Sequence, residues 1–124
     1  MTANKPKSTS NEASGSTSRM NAIRELNDRF RRSLRGGRVV ITAGVDALGI
    51  ETVQRLLILL RTFEAFTPDN DPNGEHDFGA FEHDTQRFFW KIDYYDRALA
   101  FGSDDPSDPS QTVRVLTLML ADEY

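Results

Sequence analysis

The nine residues Arg87–Tyr95, RFFWKIDYY, put Phe88, Trp90, Ile92 and Tyr94 on one side of an extended chain and Phe89, Lys91, Asp93 and Tyr95 on the other. Such a run belongs in a sheet, and its first face is the better core candidate. Phe78–Phe81 is also aromatic-rich, and His83, Asp84, Thr85 and Gln86 separate the two runs, which predicts a β-hairpin. Val39-Val40-Ile41-Thr42 is β-branched throughout and follows a glycine turn, predicting a short, well-buried strand. Arg97–Phe101 is a candidate for one more short strand.

Helical periodicity appears before and between these strands. Met20, Ile23, Leu26, Phe30 and Leu34 recur at three and four, so Arg24, Arg31, Arg32 and Arg35 fall largely on the remaining surface. Gly36-Gly37 stops that helix. Asp46 is a candidate cap, although Gly49 favours a start near Ile50 or Glu51. The segment VQRLLILLRTF that follows is apolar on most sides, either a central core helix or one with a second face against a partner. A last helix is predicted from Asp108 as N-cap, Pro109 at the first position and Gln111 completing a capping box, running through VRVLTLMLADEY. The fold class is therefore α+β: a small antiparallel sheet of three or four strands with about three helices, in the order α-β-α-β-β-(β)-α. Residues 1–18 lack apolar periodicity and predict a disordered tail ahead of a single domain over 19–124.

Composition narrows the setting. Apolar runs are too short to span a bilayer, the N-terminus has no secretory pattern, and the absence of cysteine excludes disulfides, thiolate nucleophiles and zinc thiolate sites. A cytoplasmic protein with no membrane association is expected. The net charge of -4 is unevenly laid out: residues 1–62 hold eleven Lys/Arg against five Asp/Glu, and residues 63–124 hold four against fourteen. The first half could meet phosphate and the second would repel it, unless the two pair with each other.

The densest group of oxygen ligands is DNDPNGEHDFG. Asp69, Asp71, Asn73 and Gly74 match positions one, three, five and six of a calcium-binding loop, with Asp77 at nine, but position twelve is Ala80 and position eight is His76. An Asx-rich turn is the competing reading. Two histidines beside carboxylates, His76 with Glu75 and Asp77 and His83 with Glu82 and Asp84, are candidates for a transition-metal site or a general base, or are ordinary hydrogen-bonded histidines. Asp93 and Asp96 flank Tyr94-Tyr95, which makes His76, Asp77 and Asp93 the candidate catalytic set. Arg31, Arg32 and Arg35 are the candidate phosphate contacts, against a solvated helix face. Arg114 interrupts an apolar segment, so a buried ion pair with Asp93 or Asp96 is expected, with anion binding as the alternative. No cofactor is expected.

The words NDPNGEHDFG, WKIDYYD and SDDPSDPSQTVRVLTLMLADEY, in that order, carry a resemblance. Over about Ile23–Tyr124, beginning with IRELNDRFR, the chain resembles a family of small alphaproteobacterial proteins of unknown function, often encoded on plasmids and other mobile elements. The resemblance implies a bacterial cytoplasmic protein in a setting where small acidic proteins bind host or defence machinery. Two functions are in competition. One is a non-enzymatic interaction protein, an acidic inhibitor or modulator of a nucleic-acid-handling or defence complex of anti-CRISPR or antirestriction type. It would use Glu75, Asp96, Asp104, Asp105 and Asp108 and have a protein partner, a homodimer being compatible. The other is a metal-dependent hydrolase or nuclease built on Asp71, Glu75, His76, Asp77 and Asp93, with direct nucleic-acid binding through the arginine helix as a third, weaker reading.

Overall fold

A computed structural model describes the backbone of residues 7–124 and the side chains of residues 17–124. Its elements are α1 (Lys7–Ser33), β1 (Arg38–Ile41), α2 (Ala43–Asp46), α3 (Ile50–Arg61), β2 (Phe78–His83), β3 (Gln86–Tyr95), β4 (Val113–Leu120) and a 3₁₀ turn, Ala121–Glu123. The α+β class and the small sheet with about three helices are as the sequence predicts. The four strands lie in the order β1-β4-β3-β2. β2, β3 and β4 are antiparallel, whereas β1 runs parallel to β4, from Arg38 beside Val115 to Ile41 beside Leu118. The sheet is thus mixed, because everything between residues 42 and 112 forms the crossover that a parallel pair requires.

The hairpin lies where its pattern puts it. His83 pairs with Gln86, and Asp84 and Thr85 turn the chain with φ of 53° and 64°, left-handed at both central positions. Register sets Phe88, Trp90 and Ile92 against Leu120, Leu118 and Leu116. With Phe30, Val45, Val53, Leu56, Leu60 and Phe63 from the helical side, most of these residues make the core. Gly79 pairs with Trp90, and a methyl there would overlap the indole. The glycine lets the largest core side chain lie across β2.

Several expectations are corrected. The predicted C-terminal helix is strand β4. Asp108 does close a turn, its carboxylate accepting from the Ser110 amide and hydroxyl and from Gln111 Nε2. Beyond it VRVLTLML buries Arg114, Leu116 and Leu118 alternately. Period two with three β-branched residues outweighs a short cap signal. Arg97–Phe101 forms no strand, only an isolated bridge between Tyr95 and Gly102. β1 is not well buried: it has one neighbour, and Val39 and Val40 are 37% and 44% exposed.

The helices differ in detail as well. Thr42, not Asp46, caps α2, its hydroxyl accepting the Val45 amide, and α3 begins at Ile50 behind Gly49 at φ 96°. α3 is an outer helix: it buries Val53, Leu56 and Leu60 and leaves Ile58 57% exposed. Arg31, expected on the surface, is fully buried. Residues 1–6 of the expected tail lie outside the described residues, and α1 takes in residues 7–18. Extending a formed helix fixes one residue per added hydrogen bond, so α1 can outrun its apolar stripe. Among the described residues, no helix is long and apolar enough to cross a membrane.

Candidate functional site

The acidic loop between α3 and β2 closes against one face of α1, where the candidate groups bind one another. Asn27 lies on the apolar stripe between Ile23 and Phe30 and is fully buried. Its Nδ2 donates to the Glu75 carbonyl at 3.0 Å and to the Tyr94 hydroxyl at 2.7 Å, and its Oδ1 accepts from Arg114 Nε at 2.7 Å. The Tyr94 hydroxyl in turn donates to Glu75 Oε1 at 2.8 Å. Burial, aided by that carboxylate, pushes the Tyr94 hydroxyl far above the usual tyrosine range, against the opposing Asn27 bond. Arg114 stacks on the Tyr94 ring at 5.2 Å and donates through Nη2 to the Pro106 carbonyl.

This corrects the expected ion pair. Arg114 reaches neither Asp93 nor Asp96. Tyr94 pairs with Arg114 across the sheet while Asp93 pairs with Val115, so Asp93 lies on the opposite face, bonded to Lys91 at 3.0 Å. Asp96 accepts the Ala100 amide in a turn. Desolvation lowers the Arg114 pKa, with the charge of Glu75 opposing that shift.

A second cluster surrounds His76, itself left-handed at φ 56°. Its ring stacks on Phe66 with centroids 3.7 Å apart, and Nδ1 donates to Asp28 at 2.9 Å. Nε2 lies 3.6 Å from Asp71 Oδ2, and the His76 amide donates to Asp71 Oδ1 at 3.1 Å. A general base needs one ring nitrogen facing substrate, and here both nitrogens face carboxylates of the protein. Beneath lies Arg31, which donates to Asp28 and to the Leu60 and Arg61 carbonyls at the end of α3, with its guanidinium over Phe66 and Trp90. Arg31 thereby caps a helix C-terminus, where a cation is favoured.

The other candidates disperse. Asp69 and Asn73 are exposed turn residues, and Asp71 is turned inward to His76. Asp77 is half-buried; burial and then the neighbouring Glu75 raise its pKa. Among the described residues, no three His, Asp or Glu side chains are placed to hold a metal ion. His83 lies at the hairpin end near Asp84, far along β2 from the loop. Asp105 pairs with Arg19 and accepts from Ser107; Asp108 is held in its own turn; Asp104 is exposed. Arg32 pairs with Glu64, and Arg35 is exposed.

Sequence reading missed Asn27, Asp28 and Phe66. Asn27 could have been found, since an asparagine four residues after Ile23 and three before Phe30 sits on a buried stripe and must find partners there. The pairing of Asp28 with His76 spans 48 residues and has no local signature.

A depression of about 390 Å³ lies over the loop at Phe66, Asp71, Asn73 and His76, and the outer side of α3 is open as well. Ile58 forms a ridge between two depressions, one of about 240 Å³ with Arg55, Leu59 and His83, the other of about 500 Å³ with Arg32, Arg61 and Glu64. Residues 41–123 match the family described as "Protein of unknown function (DUF3768)". No curated protein and no solved structure matches the chain.

Proposed function

We propose, for a chain that belongs to the DUF3768 family of proteins of unknown function, that it acts by binding another protein and not by catalysis. One observation carries the reading: His76 is bonded to Asp28 of α1 and Glu75 to Tyr94 of β3, with Asp71 bonded to His76 within the loop, while Ile58 and Leu59 of α3 face solvent. The contact surface is then the Ile58 ridge with Leu59, edged by Arg55 and Arg61 and by the Arg32–Glu64 ion pair. Positive rims select a partner that presents apolar side chains among carboxylates. The acidic segment is the weaker candidate, because Asp105 and Asp108 are engaged in turns and only Asp104 is free. The resemblance to plasmid-borne bacterial proteins supports a cytoplasmic setting and a host nucleic-acid-handling or defence complex as the partner's source.

The test is cross-linking of the full chain in a bacterial lysate, followed by titration of the purified partner against variants. Ile58→Asp and Leu59→Asp are expected to weaken binding at least tenfold, whereas reversing Asp104, Asp105 and Asp108 to lysine leaves it largely intact. Binding indifferent to both α3 substitutions overturns the assignment. So does a divalent-ion-dependent nuclease or hydrolase activity that disappears in His76→Ala.

A further inference from the structure

On the other flank of α1, away from α3, the end of β4 and the two turns before it close a cavity of about 200 Å³. Arg29 and Arg35 enter its wall from α1 and the turn after it, Arg97 from the turn after β3, and Arg114 from β4; the apolar part is Leu26, Phe30 and Pro109. No carboxylate lines it. Among the described residues, none of these four arginines forms an ion pair. The acidic residues nearest Arg97 and Pro109 are occupied elsewhere: Asp96 accepts the Ala100 amide, and Asp108 the Ser110 amide and hydroxyl, while Glu25, one turn before Arg29, lines a separate depression.

We propose that this cavity binds a phosphate-type oxyanion. Three exposed arginines around a helix end could be explained by the helix dipole alone, which favours cations at a C-terminus. Arg114 does not fit that explanation. It is 3% exposed, sits on a strand, and its polar partners, Asn27 Oδ1 and the Pro106 carbonyl, carry no charge. A buried guanidinium with no carboxylate in contact is costly, and the Glu75 charge acts on it only from beyond Asn27 and Tyr94. An anion in the cavity would provide that contact, with the exposed arginines closing over the remaining oxygens in the forked geometry that guanidinium groups offer phosphate. The volume is below the range of pockets that enclose a whole drug-sized ligand, so the cavity suits one phosphate group, free or at the end of a larger molecule. None of these residues belongs to the α3 surface, so this site stands or falls separately.

The experiment is calorimetric titration of the full chain with inorganic phosphate at constant ionic strength, chloride being the balancing anion. Arg35→Gln and Arg97→Gln change exposed side chains and leave the core intact; each is expected to weaken phosphate binding about tenfold, the worth of one charge-assisted hydrogen bond. Phosphate heats no different from those of chloride overturn the proposal, as does unchanged affinity in the Arg35→Gln/Arg97→Gln double variant. A 5′-phosphorylated dinucleotide and its 5′-hydroxyl counterpart then separate the sources. Competition by the phosphorylated form alone assigns the cavity to a chain-end phosphate, and phosphate binding with no competition assigns it to the free ion.

Discussion

Replacing Asn27 by alanine removes the centre of the inner polar network. Its amide serves the Glu75 carbonyl, the Tyr94 hydroxyl and Arg114 Nε. The two neutral bonds are each worth about 1 kcal/mol net and the charged one about 1.5–3 kcal/mol. Together they give about 3.5–5 kcal/mol, and a water entering the vacated space would recover part, so a loss of roughly 3–4 kcal/mol is expected. Against the roughly 5–15 kcal/mol typical of a domain, that is a large fraction. Trp90 is the only tryptophan and is fully buried, so its fluorescence reports global unfolding in urea. The midpoint should fall with the slope unchanged. A loss below about 1 kcal/mol would mean that solvent replaces Asn27 almost without cost, and the account of α1 as the clamp on the acidic loop would be wrong.

Other outcomes follow from the same structure. Because burial holds the Tyr94 hydroxyl protonated beyond the ordinary value of 10.0, stability is complete below pH 10 and falls above it. The slope is about 1.4 kcal/mol per pH unit for that one proton, and Tyr94→Phe should remove it relative to wild type. The raised Asp77 pKa has the same sign: its stabilising contribution is present below 3.8 and lost as pH rises. Asp77→Asn should therefore raise the urea midpoint at pH 7 and lose that advantage in acid; a lowered midpoint at pH 7 contradicts the desolvation argument. Thr85→Gly relieves a β-branched residue at φ 64° and should stabilise by about 1 kcal/mol in the same assay; a neutral or destabilising effect would show the turn to be unstrained.

The parts of the fold legible in sequence were those whose signal is local. The hairpin came from alternation of Phe88, Trp90, Ile92 and Tyr94, and α1 from the stripe ending at Leu34. The C-terminal helix is a misreading because Asp108, Pro109 and Gln111 make a turn whatever follows, while Val115 and Met119 blur the alternation of Arg114, Leu116 and Leu118. At the site, the chemical density of Glu75 and His76 is legible in the sequence. Their role was hidden, because it depends on Asn27, Asp28 and Arg31, which the chain brings there from some fifty residues away. The burial of Arg114 is legible in the sequence but its partner is not, since strand register decides which side of the sheet Asp93 occupies.

The order β1-β4-β3-β2 also bears on how this chain is made. The strand joining both halves of the sheet is β4, Val113–Leu120, the last to leave the ribosome. Until it emerges, β1 has nothing to pair with, and the hairpin exposes Phe88, Trp90 and Ile92 along an unpaired edge. Folding of this sheet must therefore await synthesis through β4, with long-range closure as its slow step. A chain cut before residue 113 would leave β1 unpaired and the hairpin's β3 edge bare, so the sheet forms as a whole or not at all.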